Sequence, residues 1–253
     1  MNVTQEIREN WKKLKGMSRK ERASYIWTYY KFPILALVLA FCVLFSWIYS
    51  GVTTAETALS GILLNCYDSM LSDGSRSGFS EDFLEELQLD PSDYTLSFRM
   101  NLTYSQGGDS AAYSDYQSVM TIMSYVAAGE LDFITGDLGA MMGLAYQDYF
   151  EDLSEVLSQE QYQAYAPFFL YIDWAVLEQM NGATGESGEA PPEIPDCRKP
   201  ETMERPVPVL IDMSGSGALR GVYGDYAETL AFGLVVNAPH PENTLKYIDY
   251  LMR

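Results

Sequence analysis

The residue types that usually carry chemistry are scarce in this chain. One histidine, His240, and three cysteines, Cys42, Cys66 and Cys197, are all that its 253 residues provide. Neither the Cys/His spacings of a zinc site nor a disulfide-dense scaffold can be built from them. No G-x-S-x-G elbow, phosphate-cradling glycine loop or H-E-x-x-H helix is present, so the common hydrolase and nucleotidase machineries have no anchor. His240 stands before Pro241 and reads as a residue that starts a terminal helix. Carboxylates are the abundant group, 35 Asp and Glu against 16 Lys and Arg. A glycosidase-like pair needs two of them across a cleft, but abundance places none there, and a solvated acidic surface is the ordinary reading. Asp132, Asp137, Asp148, Glu151 and Asp152 lack the alternation and glycine of a calcium loop. The expectation is a protein that is not an enzyme, with no metal and no cofactor.

Charge is distributed in two regimes. Residues 1–31 carry eight basic side chains and three acidic ones, a balance of +5, whereas residues 53–253 carry eight basic and 32 acidic ones, a balance of −24. The acidic majority argues against nucleic acid as a partner. Between the two lies Phe32–Val52, 21 residues without Asp, Glu, Lys, Arg or His. As a helix this run would be about 31 Å long, the thickness of a bilayer's hydrocarbon core. Trp27, Tyr29 and Tyr30 before it and Trp47 and Tyr49 near its end suit the two interfaces, and Pro33 is expected in its first turn. A cleaved signal peptide would have a shorter apolar region, and Thr53-Thr54-Ala55 is a poor cleavage match. The positive-inside rule keeps residues 1–31 in the cytoplasm and exports residues 53–253. The expected location is the cell membrane, crossed once. Ile7, Trp11 and Leu14, with lysines between them, have the spacing of a short surface helix, although a basic tail needs no structure to set topology.

The exported part alternates short apolar runs with helical patterns. Strands are expected at 58–66, 94–102, 131–136, 168–172, 207–211 and 229–236. Helices are expected at 81–87, from a cap at Ser114 or Asp115 to Ala128, at 138–149 and 158–165, and from Pro241 to Met252. The order predicts an α/β fold with a parallel or mixed sheet flanked by helices. Pro208 reads as an edge-strand proline, and the Gly- and Pro-rich stretch 181–206 as a linker. Cys66 and Cys197 are both exported in this topology, where a disulfide is permitted, but two cysteines alone do not specify one.

Three stretches carry a resemblance. They are AAGELDFITGDLGAMMGLAYQDYFEDLSEVL (Ala127–Leu157), VPVLIDMSGSGALRG (Val207–Gly221) and LAFGLVVNAPHPENTLKYIDYLMR (Leu230–Arg253). Together they resemble the extracellular solute-binding proteins of type 1, the periplasmic-binding-protein-like family, in a reduced form with one lobe trimmed. The run Ser18–Leu39 is similar to the tail and anchor of uncharacterised membrane proteins of Gram-positive gut bacteria. The resemblance implies non-catalytic capture of a small solute or peptide at the cell surface, beside a transporter or another envelope protein. It also implies a cleft at the C-terminal ends of parallel strands. Asn65, Tyr67 and Asp68, Gly136 and Asp137, and Ser214 and Ser216 fall at such ends, with Trp174, Tyr171 and Tyr223 as candidate stacking platforms. Each of the strand-end residues also reads as an ordinary turn or cap. The other reading is an envelope interaction or assembly module whose cleft is vestigial.

Overall fold

The computed structural model describes residues 18–53, 55–66, 83–105, 112–182, 192–224 and 227–253. The chain divides into two compact units, Met1–Thr54 and Ala55–Arg253.

The first unit contains one helix, α1 (Arg19–Thr53). It starts thirteen residues before Phe32 because Ser18 and Glu21 form a capping box: Glu21 N–H donates to Ser18 Oγ at 3.4 Å and Ser18 N–H to Glu21 Oε2 at 2.9 Å. Pro33 therefore lies inside the helix rather than in its first turn. Its described apolar side chains face outward, Phe32 being 72% and Trp47 81% exposed. Among the described residues no helix is long and apolar enough to cross a membrane. The described side chains of the apolar run end at Trp47, whereas the sequence carries it to Val52. The Ile7, Trp11 and Leu14 pattern lies outside the described residues.

The second unit is built on six strands: β1 (Glu56–Leu63), β2 (Tyr94–Arg99), β3 (Phe133–Asp137), β4 (Phe169–Asp173), β5 (Pro206–Asp212) and β6 (Leu230–Leu234). Their order across the sheet is β2-β1-β3-β6-β5-β4. The pairs β2–β1 and β1–β3 are parallel, and the remaining three pairs are antiparallel. Of the two arrangements expected from the element order, parallel or mixed, the sheet is mixed. Its middle strands are the most apolar, β6 being buried throughout and β1 from Ala58 onward, as strands covered on both faces must be.

Successive residues feed different clusters, as the period of two requires. Ile62, Ile134, Leu170 and Ala231 face one way, with α2 (Ala112–Ala128), α3 (Leu138–Ala145) and α6 (Trp174–Gly182) over them. Leu63, Phe133, Phe169 and Phe232 face the other, under α4 (Leu153–Val156), α5 (Gln159–Tyr165), α7 (Gly217–Tyr223) and α8 (Pro241–Leu251). The result is a three-layer α/β/α domain.

Several expectations need correction. Pro208 is not on an edge strand, since β5 lies between β6 and β4. The strand accommodates it because the register with β4 slips between Leu170 and Tyr171, and β6 pairs only with Ile211 and Asp212. Neither Ser114 nor Asp115 caps α2, which begins at Ala112; Asp115 Oδ2 instead accepts from Ser105 N–H at 3.2 Å and Ser105 Oγ–H at 3.1 Å. Cys66 and Cys197 do not pair, because they are buried in the two different clusters, on opposite faces of the sheet. Helix α6 extends to Gly182 and residues 200–202 form a 3₁₀ turn, so the stretch 181–206 is only partly linker-like.

Candidate functional site

The C-terminal ends of β1, β3 and β5 lie at one end of the sheet, because two antiparallel steps through β6 bring β5 parallel to β3. Asn65, Gly136, Asp137, Ser214 and Ser216 are assembled there. Tyr67 and Asp68 lie outside the described residues. The polar groups at this end are turned on one another. Asn65, at φ 57°, uses its amide like a strand edge: Oδ1 accepts from Tyr104 N–H at 2.8 Å, and Nδ2–H donates to Tyr104 O at 2.7 Å and to Asp137 Oδ2 at 2.6 Å. Asp137 caps α3 by accepting from Ala140 N–H at 3.1 Å. A Cβ on Gly136 would sit 3.1 Å from Leu64 Cβ, so the glycine serves close packing.

At the end of β5, Ser214 Oγ–H donates to Asp212 Oδ1 at 2.5 Å, while Ser214 Oγ accepts from Leu230 N–H at 3.1 Å. Ser216 caps α7. Arg198 reaches Asp212 at 2.9 Å, and Arg220 donates to three carbonyls, those of Ser214, Ala227 and Glu228. Tyr223 is a strap in the core rather than a stacking platform. Its hydroxyl donates to Thr135 O at 2.8 Å, and burial, reinforced by Cys66 and Asp137, pushes the phenol well above its ordinary value.

Trp174 is placed at the opposite end of the sheet, because β4 runs antiparallel to β5 and Asp173 pairs with Pro206. It borders a groove of about 440 Å³ whose apolar lining includes Phe150, Val207 and Val236, with Asp148, Glu151, Asp152, Glu155 and Arg205 also lining it. The indole Nε1–H donates to Glu178 Oε1 at 3.0 Å, and Arg205 pairs with the same Glu178 carboxylate, which holds the ring against the groove. Asp173 fixes this corner. Its carboxylate accepts from Glu204 N–H at 2.8 Å and from Arg205 N–H and Ala175 N–H, both at 3.0 Å.

Burial is the largest effect on the Asp173 carboxyl and pushes its pKa up. The three backbone donors and the charge of Arg205 outweigh it, leaving the carboxyl below its ordinary value. A carboxyl depressed by folding contributes stability that is present above the unfolded value, about 3.9, and lost as the pH falls through the folded one. Asp212 is depressed too: burial raises it, but the Ser214 hydrogen bonds and Arg198 lower it further. The melting-temperature gap between the native chain and Asp173→Asn is therefore expected to stay constant from about pH 7 to about pH 5 and to close below about pH 4. A gap that persists unchanged to about pH 3 would remove Asp173 from this role.

Sequence reasoning missed a second buried carboxylate. Asp132, fully buried, accepts from Ser60 N–H at 2.7 Å and His240 N–H at 2.6 Å, and its Oδ2 lies 3.0 Å from His240 Nδ1. His240 does precede α8 but makes no side-chain cap. The aspartate stands directly before β3, with nothing local to announce a partner 108 residues away. Among the described residues no group of three or more His, Cys, Asp or Glu side chains is placed to hold a metal ion. Compared with protein-family models, curated proteins and solved structures, the chain matches none.

Proposed function

We propose that the chain is a single-pass membrane protein whose Ala55–Arg253 unit works outside the cytoplasm as a non-catalytic binding domain, a solute-binding scaffold reduced to one lobe, capturing a small solute or peptide. The anchor is supported by the length of the charge-free run Phe32–Val52 and the outward-facing apolar side chains of α1. Export of the second unit is supported by the excess of cations before that run. Reduction to one lobe is supported by the single six-stranded sheet found among the described residues.

The observation that carries the binding reading is the groove beside Trp174. Its volume falls in the range of small-molecule sites, and it joins an aromatic wall to fixed charges. Carboxylates outnumber the one arginine there, which favours a ligand bearing positive charge. Trp174 is the only one of the four tryptophans within Ala55–Arg253, so the ligand-dependent change in emission that Trp174→Ala removes reports on the groove.

The test is thermal unfolding and tryptophan emission of the full chain in detergent against cationic, neutral and anionic solutes and short peptides. A ligand at 100 times its Kd adds about 2.7 kcal/mol, which for a domain of this size is about 5–10 °C. Both signals are expected to vanish in Trp174→Ala. A shift that survives this substitution would place the ligand elsewhere.

The reading as an envelope assembly module has one observation of its own. The groups at the strand ends, where a solute cleft would open, are engaged with each other. A panel that leaves the native chain unmoved would favour this reading.

A further inference from the structure

We propose that the outer edge of β2, with the groove between it and α2, is a second binding site, which takes a short free peptide in extended conformation, parallel to β2 and with its terminal carboxylate at Arg99. The two margins of the sheet differ. At β4 the segment before β5 supplies a partner, Tyr171 N–H donating to Cys197 O at 2.9 Å. Strand β2 pairs with β1 on one side, and among the described residues no strand lies on its other side. It contains neither the proline nor the lysine that protects exposed edges, and the register slip in its pairing inserts Ala58 into β1, leaving β2 itself regular. What answers the N–H and C=O groups of such an edge is another extended backbone, with pockets beside it for alternate side chains. A groove of about 370 Å³ is placed to serve as one: the chain from Phe98 to Leu102 forms one wall, and Thr121 and Tyr125 of α2 the other.

Backbone pairing fixes the class of occupant, and the two ends of β2 fix its direction. Elsewhere in this acidic unit Arg198, Lys199, Arg205 and Arg253 are spent on Asp212, Asp196, Glu178 and Glu86, and Arg220 on three carbonyls. Arg99 is exposed at the C-terminal end of β2 and has no carboxylate partner among the described residues. Its guanidinium lies 4.1 Å from the centre of the Tyr125 ring, which holds the planar fork in place for a carboxylate to meet it with two hydrogen bonds. No carboxylate lines the groove. At the N-terminal end of β2, Glu56 and Asp93 are exposed and paired in register through Glu56 N–H and Asp93 O at 2.7 Å. A peptide parallel to β2 therefore brings its ammonium terminus to two acids and its carboxylate terminus to Arg99, whereas the antiparallel direction reverses both. With uncharged side chains such a peptide has no net charge, so the acidic unit does not repel it. A length of about six residues matches the six of β2.

The experiment screens the full chain in detergent, by thermal unfolding, against a library of hexapeptides with free termini and uncharged side chains. Members that raise the melting temperature are expected to do so equally in Trp174→Ala, because Trp174 does not line this groove, which separates the site from the one at the opposite end of the sheet. Their affinity is expected to fall at least about tenfold in Arg99→Gln, and by as much when the peptide's C-terminus is amidated or its alternate backbone amides are N-methylated. Without peptide, Arg99→Gln should melt as the native chain does, since the side chain is exposed. A library in which no member moves the chain overturns the proposal. So does binding that survives Arg99→Gln or the amidated terminus, and so does binding that tolerates N-methylation, since the edge would then not be what the peptide pairs with.

Discussion

Replacing Asp132 by alanine is expected to lower the stability of the Ala55–Arg253 unit by about 2–5 kcal/mol, the cost of stranding the backbone donors it answers. The side chain is fully buried and answers two backbone donors, Ser60 on β1 and His240 before α8, together with the His240 ring. Alanine would leave the Ser60 N–H in a dry interior and the part-buried His240 N–H without its acceptor, and an unmade buried hydrogen bond costs about 1–3 kcal/mol for each group. At about 2–4 °C per kcal/mol the melting temperature should fall by roughly 10 °C. His240→Ala removes only the ring, leaves both backbone donors satisfied, and should cost less, about 1.5–3 kcal/mol. Chemical denaturation of both variants gives the comparison. Equal losses would mean that the ring, and not the backbone donors, carries the effect.

Phe133→Ala is expected to cost about 3–5 kcal/mol, as for a buried aromatic truncated to a methyl. Its ring stacks on Phe232 at 4.8 Å and meets Tyr247 at 5.2 Å and Phe98 at 5.8 Å, so one side chain links β2, β3, β6 and α8. The ring also lies over Gly61, where an added Cβ would fall 2.1 Å from its Cζ. Gly61→Ala must therefore displace a ring already held by three aromatic neighbours, and about 1–3 kcal/mol is expected from that overpacking. The two substitutions should be strongly non-additive, because the alanine methyl at 61 occupies space vacated in Phe133→Ala. A double-mutant cycle in denaturant measures this. Additive losses would show that the ring relaxes away from Gly61 at no cost.

How much of this was legible in the sequence depended on the range of the interaction. The helix at 158–165 was legible in the sequence, and the structure shows the capping box that starts it, with Gln161 returning the bond to Ser158 three residues away. The same signature at Ser18 and Glu21 sets the start of α1 well ahead of the apolar run. The six strands were legible as short apolar runs, with ends shifted by at most three residues. Helices α6 and α7 were not, because each is short and has its cap in a residue that also reads as a strand-end turn, Asp173 and Ser216. Pro208 misled because edge or interior position depends on which strands come to lie beside it.

The candidate site divides in the same way. That Asn65, Asp137 and Ser214 stand at strand ends followed from local pattern. That their polar groups are consumed by Tyr104, Ala140, Asp212 and Leu230 did not. By itself the sequence determined the division of charge, the single charge-free run, the poverty of catalytic groups and the α/β alternation, all of which are properties of composition and of spacing within one element. Only the tertiary structure decided the sheet order, the separation of Cys66 from Cys197, the pairing of Asp132 with His240 and the placing of Trp174 against a groove at the opposite end. Those depend on contacts between residues far apart in the chain, and their energies appear only once the backbone has brought the partners together and excluded water from between them.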